Sequence, residues 1–116
     1  MALYAIVLKV KTTKRRATLI LDEKVPLDCG LLRQIVIWAV PQNSKYPDGV
    51  RYHLVLVDPL SGKVLLLFDN HYPKGHHQHS WDGIESPFIY TTLTDLLTLY
   101  YELEKMEIEK YESNAN

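Results

Sequence analysis

The chain has 116 residues, of which 47% are hydrophobic and 23% are charged, and its net charge is −1. This composition is typical of one folded domain and excludes a disordered chain, because enough apolar side chains are present to form a core. No stretch approaches the roughly 20 apolar residues of a membrane-spanning helix, and the single cysteine excludes an internal disulfide.

The net charge hides an uneven distribution along the chain. Residues 1–16 contain five basic residues and no acidic one, whereas residues 82–116 contain eight acidic residues and two lysines. Both ends can be solvated surfaces, although a basic end also suits nucleic acid and an acidic end suits a basic partner. We expect a single domain over 1–116, with 1–16 as a basic extra strand and 106–116 as a charged tail.

Six segments have the composition or the alternation of β-strands. In chain order they are Leu3–Thr12, Ala17–Lys24, Leu31–Pro41, Val50–Val57, Lys63–Asp69 and the short Pro87–Thr91. The third segment is nearly continuously apolar, which predicts a central strand buried on both faces. Turn residues at Pro26–Gly30 precede it, and a polar loop at Gln42–Gly49 follows it.

The turn Asp58–Gly62 joins two of these strands in a hairpin, since its proline and final glycine suit a type I turn that closes on a left-handed residue. A loop of four residues places Arg51 opposite Asn70, and a loop of five places it opposite Asp69. The sequence leaves both registers open. In either one, Arg51 and His53 share a face of the sheet and lie close to Asp69.

A helix is predicted after the strands. Thr92-Leu-Thr-Asp95 has the spacing of a capping box. An apolar stripe follows at helical spacing and consists of Leu93, Leu96, Leu97, Tyr100 and Leu103. The mostly charged Glu104–Glu112 is predicted to run into solvent or onto a partner, and Ser113–Asn116 to fray. The expected fold is α+β, an antiparallel sheet of five or six strands with a C-terminal helix packed on one face.

The segment Phe68–Phe88, with the sequence FDNHYPKGHHQHSWDGIESPF, carries the residues most suited to chemistry. We call it the histidine segment and expect it to be a loop beside the sheet, where functional residues are often found. It holds four of the five histidines, which are His71, His76, His77 and His79. Asp69, Lys74 and Glu85 lie among them.

Three interpretations of the histidine segment are open. His77 and His79 project to the same side of an extended segment, and with Asp69 or His71 they could make a three-ligand metal site. That spacing matches no established zinc pattern, so we expect no metal and no cofactor. A histidine pair can instead supply a base and an acid near neutral pH, as RNA cleavage requires, with Lys74 and Arg51 holding the phosphate. The third interpretation is a surface loop whose histidines bond to backbone or water.

The histidine segment resembles a family of small prokaryotic proteins, the TumE-type toxins of toxin–antitoxin pairs. The resemblance covers residues 17–105. The matching residues are Phe68-Asp69-Asn70, Lys74-Gly75, His77, His79, Glu85 and Phe88, with Val36-Ile37-Trp38 and Arg51-Tyr52 upstream. Gln78 and His53 occupy positions that are commonly arginine in the family. The absence of arginine there weakens the expected phosphate binding, because neither glutamine nor histidine can donate two parallel hydrogen bonds to a phosphate as a guanidinium does.

The resemblance implies a cytoplasmic, growth-inhibiting toxin that is neutralised by a cognate antitoxin with a helix-turn-helix domain. Residue chemistry adds RNA as the substrate, and whether the chain forms a homodimer stays open. The predicted catalytic residues are His77, His79, Glu85 and Asp69, and the predicted binding residues are Lys74, Arg51, Asn70 and His53. The alternatives are a non-catalytic protein-binding module that uses the sheet and the acidic helix, and a metal-dependent phosphoesterase.

Overall fold

The computed structural model describes residues 16–114 and shows six strands and one helix in this part of the chain. The strands are β1 (Thr18–Pro26), β2 (Leu32–Ala39), β3 (Val50–Val57), β4 (Val64–Asp69), β5 (His77–Ser80) and β6 (Glu85–Pro87). Each strand pairs antiparallel with the next, so the sheet is a meander in sequence order. The helix α1 (Leu93–Asn114) packs on one face, which confirms the α+β prediction. The predicted strand Leu3–Thr12 lies outside the described residues.

The core lies between the helix and one face of the sheet. Successive side chains of a strand point to opposite faces, and those that point toward α1 are buried. From β2, β3 and β4 they are Ile35, Ile37, Tyr52, Leu54, Leu56, Leu66 and Phe68. Leu96 and Tyr100 of the predicted helical stripe are buried against them. Among residues 16–114 no helix covers the opposite surface, which we call the open face.

Strand β2 is buried on one side only. Ile35 and Ile37 are fully buried beneath the helix, whereas Val36 is half-buried and Trp38 is also half-buried on the open face. The prediction of a strand buried on both faces is therefore wrong. Its apolar residues are continuous because the open face is itself partly apolar at this strand.

The β3–β4 hairpin closes with the four-residue loop, one of the two lengths predicted. The Asp58 N–H donates to the Lys63 carbonyl at 2.9 Å, and the Gly62 N–H donates to the Asp58 carbonyl at 2.7 Å. Gly62 has a φ of +78°, the left-handed conformation that the turn requires and that favours glycine.

A bulge at Leu65 of β4, opposite Leu56 and Val57, then shifts the hairpin register by one residue. Beyond it, His53 lies opposite Asp69, so neither predicted partner of Arg51 is correct at the far end. The predicted sharing of a face is confirmed, because the bulge moves β3 along its partner without changing its alternation. The bulge therefore brings an imidazole, rather than a guanidinium, against the Asp69 carboxylate.

The histidine segment is not a continuous loop, because His77–Ser80 forms β5 and pairs with β4 on one side and β6 on the other. The predicted strand Pro87–Thr91 is also wrong, since β6 ends at Pro87. The chain then turns toward the helix, where the Phe88 ring packs edge-on against Phe68 with centroids 5.2 Å apart. Burial of this aromatic ring replaces further strand pairing.

The helix begins where the capping box predicts and ends later than expected. The Thr92 hydroxyl oxygen accepts from the Asp95 N–H at 3.1 Å, and the Thr91 hydroxyl donates to the Asp95 carboxylate at 2.6 Å. Helical structure continues to Asn114, so the segment predicted as a charged tail from residue 106 is the last part of the helix in the described residues, and Ser113 and Asn114, predicted to fray, are helical. Glutamate, lysine and methionine favour a helix, and Ile108 and Tyr111 extend its contact with the core.

Two glutamates of the predicted acidic surface are buried against the sheet. Glu104 is 3% exposed and accepts from the Arg33 guanidinium of β2 at 2.9 Å and from the Tyr100 hydroxyl at 2.9 Å. Glu107 is 8% exposed. The acidic face that could meet a partner is correspondingly narrower than the sequence suggests.

The α1 helix is too polar to cross a membrane, and it is the only helix in the described range.

Candidate active site on the open face

The meander gathers most of the predicted site residues in two adjacent rows on the open face. In one row, residues His53, Asp69 and His77 are register partners on β3, β4 and β5. In the next row, His79 on β5 is the register partner of Glu85 on β6. Paired strands are about 4.8 Å apart, so these five side chains form one continuous polar cluster.

His77 is the most rigidly held member of this cluster. It is 7% exposed, and its Nδ1 lies 2.8 Å from the Gly75 carbonyl oxygen. Because a carbonyl oxygen can only accept, Nδ1 carries a proton, and in the neutral form of the ring Nε2 keeps its lone pair. The His77 and His79 ring centroids are 5.2 Å apart, so two imidazoles lie within reach of one small substrate group.

Glu85 links the second histidine to a lysine. The Lys74 ammonium donates to Glu85 Oε2 at 3.0 Å, and His79 Nε2 lies 3.8 Å from the same oxygen. The hydrogen bond and the positive charge of Lys74 lower the pKa of Glu85. The carboxylate is therefore ionised near neutral pH and can orient both a protonated imidazole and an ammonium.

Asp69 occupies the centre of the longer row. Its carboxylate lies 3.3 Å from His53 Nδ1 and accepts a hydrogen bond from the His71 backbone N–H. Partial burial raises the pKa of Asp69, but these hydrogen bonds and the charges of His53 and His77 outweigh it and leave the pKa lowered. Asp69 is thus a fixed negative charge between two histidines.

Arg51 lies at one end of the cluster, beside a shallow groove of about 260 Å³. The groove is lined by Val36, Trp38, Arg51, Tyr52, His53, Asp69 and His71. Trp38 is the register partner of Arg51, so a guanidinium and an indole are adjacent on the open face. Sequence reasoning missed Trp38 as a site residue because the continuous apolar run of β2 hides which of its side chains face the open side.

Asn70 does not join the cluster. Its side chain is 4% exposed, accepts from the Tyr52 N–H at 2.9 Å and donates to the Val50 carbonyl at 2.8 Å. These bonds replace strand pairing at the end of β4 and hold it against β3. The structure thus gives Asn70 a structural contact, whereas the sequence predicts a binding role.

A second polar group, which the sequence did not reveal, lies away from the open face. The Tyr52 hydroxyl is 2.7 Å from His76 Nδ1, and His76 Nε2 is 2.8 Å from the Asp48 carboxylate. The His76 ring also stacks on Tyr90, with centroids 4.6 Å apart. His76 therefore fastens the start of β5 to the loop before β3. Asp48 lies 28 residues away in a polar loop, and no local pattern marks it as a partner.

One set of donors in the described range could hold a metal ion. His77, His79 and Glu85 each offer a ligand atom, and these atoms all lie within 4.8 Å of one another. The sequence suggests Asp69 or His71 as the third ligand, but the pairing of β5 with β6 brings Glu85 there instead.

No protein-family model, curated protein or solved structure matches this chain. The resemblance to TumE-type toxins therefore stays a prediction that is carried by the residues of the histidine segment.

Proposed function

We propose that this chain is an endoribonuclease that works without a metal ion and serves as the toxin of a toxin–antitoxin pair. The observation that carries the proposal is the convergence of two histidines, two carboxylates and two cations on the open face. That set contains the groups that cleavage beside a ribose 2′-hydroxyl requires, namely a base, an acid and positive charge for the phosphate.

The reaction is a transesterification within the RNA chain. A base removes the proton of the 2′-hydroxyl, and the resulting oxygen attacks the adjacent phosphorus. The bond from phosphorus to the 5′-oxygen of the next nucleotide breaks, and an acid protonates that oxygen. The products are a 2′,3′-cyclic phosphate and a free 5′-hydroxyl, so no water or cofactor enters this step.

His77 is the base in this scheme, and His79 is the acid. The Gly75 carbonyl fixes the proton of His77 on Nδ1 and leaves the Nε2 lone pair to accept the 2′-hydroxyl proton. An imidazolium on His79 is placed beside the Glu85 carboxylate, which attracts its charge. The two rings are close enough to act on the attacking and leaving oxygens of one phosphate.

Lys74 and Arg51 supply positive charge at two sides of the histidine pair. Lys74 is held beside His79 by its bond to Glu85, and Arg51 lies near His53 and Asp69. Both side chains can reach phosphates of an extended RNA strand that crosses the sheet. Asp69 orients His53 and places a negative charge opposite His77.

The biological setting follows from the resemblance of residues 17–105 to TumE-type toxins. In this proposal the chain acts in the cytoplasm, and a cognate helix-turn-helix antitoxin binds it and blocks its activity. An adjacent gene that encodes a short helix-turn-helix protein would support this part of the proposal.

The test is cleavage of RNA by the purified chain in the presence of a strong chelator. We expect products that end in 2′,3′-cyclic phosphate, and no cleavage of DNA or of 2′-O-methyl RNA, which lack the attacking hydroxyl. His77→Ala and His79→Ala are each expected to lower the rate at least about 100-fold, because each removes a proton-transfer group. The same variants should fail to arrest growth when expressed in bacteria.

The matched control is Gln78→Ala, since Gln78 lies between the two histidines on β5 and faces the opposite side of the sheet. It should keep the rate within a few-fold of the unaltered chain. If the doubly substituted His77→Ala, His79→Ala chain remains folded and still cleaves RNA, the acid–base assignment is refuted. If cleavage stops in chelator and returns with metal, the metal-dependent phosphoesterase replaces it.

A further inference from the structure

The donor set formed by His77, His79 and Glu85 is arranged as an incomplete metal site. The two histidines are separated by one residue on β5 and project to the same face, and Glu85 is the register partner of His79 on β6. Their ligand atoms lie within 4.8 Å of one another, so small side-chain rotations would bring all three onto one ion. Three protein ligands and an open position are a common arrangement for zinc.

His77 is already oriented as a metal ligand. Metal-binding histidines nearly always donate their second ring N–H to a carbonyl or carboxylate, which fixes the tautomer and the ring direction. His77 makes this bond from Nδ1 to the Gly75 carbonyl at 2.8 Å, and it is 7% exposed. Its Nε2 is therefore the ring atom left to bind a metal ion.

The Lys74 ammonium is the cation that pairs with Glu85 in this donor set. Its ammonium lies 3.0 Å from Glu85 Oε2, the same oxygen that faces His79 at 3.8 Å. A metal ion bound to this oxygen competes with the ammonium. The pair is solvent-exposed, and such pairs contribute little, so the displacement costs little binding energy.

We propose that Zn²⁺ binds to His77, His79 and Glu85 and inhibits the chain. The inhibitory part rests on the proposed ribonuclease function, because an ion bound to both imidazoles blocks the lone pair of the base and the proton of the acid. Two imidazoles and one carboxylate suit borderline divalent metals such as zinc, whereas Mg²⁺ prefers oxygen ligands and should not bind here.

The binding experiment titrates the purified full chain with Zn²⁺ in competition with a chromophoric chelator. His77→Ala, His79→Ala and Glu85→Gln should each weaken Zn²⁺ binding at least about tenfold, because each removes or neutralises one of three ligands. His71→Ala is the matched control, since it removes an exposed histidine outside the donor set. It should leave the Zn²⁺ affinity within about twofold.

Lys74→Met separates the metal site from the ribonuclease site. It removes the competing ammonium and should tighten Zn²⁺ binding about two- to fivefold, in line with the weak energies of exposed ion pairs. The same change should slow RNA cleavage, because it removes a phosphate-binding cation. Opposite effects of this one substitution on the two readouts would show that the Lys74 ammonium competes with the metal ion and assists the phosphate.

The outcomes distinguish the two proposals. A Zn²⁺ affinity that His79→Ala and Glu85→Gln leave unchanged overturns the metal site, whether or not the chain cleaves RNA. Cleavage that continues at saturating Zn²⁺, or that requires it, overturns the inhibition. A chain that binds Zn²⁺ with the expected pattern of variants but never cleaves RNA supports the metal site and refutes the ribonuclease.

Discussion

Asp69 and Asn70 are neighbours in the chain, yet their side chains point to different environments and make different contacts. Asp69 points to the open face, where it contacts His53 and lies opposite His77. Asn70 is buried, and its amide pairs with backbone groups of β3. The sequence predicts a site role for both, because an Asp-Asn pair at the end of a strand gives no sign of which side chain is needed by the backbone.

The lowered pKa of Asp69 predicts a pH-dependent contribution to stability. A carboxyl whose pKa is lower in the folded chain stabilises it above the ordinary carboxyl range, and that stabilisation is lost as the pH falls through the lowered pKa. Asp69→Asn should therefore destabilise the chain at pH 5.5 and make progressively less difference below about pH 4. Urea denaturation across this pH range measures the effect.

The exposed Asp22→Asn change is the matched control for the loss of one negative charge on the open face. If the stability difference between the Asp69→Asn variant and the unaltered chain is the same at every pH, then the hydrogen bonds to Asp69 do not hold its charge in the folded state.

At the scale of elements, the helix α1 is fixed to the sheet by a polar contact as well as by its apolar stripe. The Glu104 carboxylate receives hydrogen bonds from Arg33 of β2 and from Tyr100 one turn earlier in the helix. Its side chain is 4% exposed and that of Arg33 is 20% exposed. The pair therefore sets where along β2 the helix lies, which the stripe alone does not specify.

Glu104→Ala should destabilise the chain by about 2–3 kcal/mol, because it leaves the largely buried Arg33 guanidinium and the Tyr100 hydroxyl without their acceptor. The control is Glu102→Ala, an exposed glutamate two residues away, which should change stability by no more than about 0.5 kcal/mol. Chemical denaturation measures both. Equal effects of the two substitutions would show that Glu104 does not connect the helix to the sheet.

At the scale of the whole molecule, a single helix covers one face of a six-stranded sheet in the described part of the chain. The covered face is mainly apolar and holds the fold together, while the other face carries the polar cluster. This division allows a substrate to approach the polar cluster without opening the core.

Shortening a buried side chain should lower stability more on the covered face than on the open face. Phe68 is fully buried beneath the helix, and Phe68→Ala should lower the free energy of unfolding by about 3–5 kcal/mol. Leu67, its neighbour on the open face, is half-buried, and Leu67→Ala should cost about 1–2 kcal/mol. Unfolding in denaturant gives both values. A larger cost at Leu67 would mean that something in the folded chain covers the open face.

Much of this architecture follows from the sequence. Val50–Val57 is predicted with the same bounds that the structure shows, and the turn at Asp58–Gly62 and the helix start after Thr92 are also confirmed. These features depend on local chemistry, namely β-branched residues, a left-handed glycine and a capping hydroxyl. Closeness in the chain likewise predicts that one group of site residues forms from His77, His79, Lys74 and Glu85.

Tertiary structure decided what local chemistry cannot specify. The bulge at Leu65 of β4 set His53 against Asp69, the pairing of β5 with β6 placed Glu85 beside His79, and Asp48 met His76 from 28 residues away. Each of these contacts depends on strand register or loop path, and those are set by how the whole sheet packs beneath its helix. The sequence by itself therefore determines which residue types are available for the site. The tertiary structure decides which of them contact each other, because strand register depends on how the whole sheet packs.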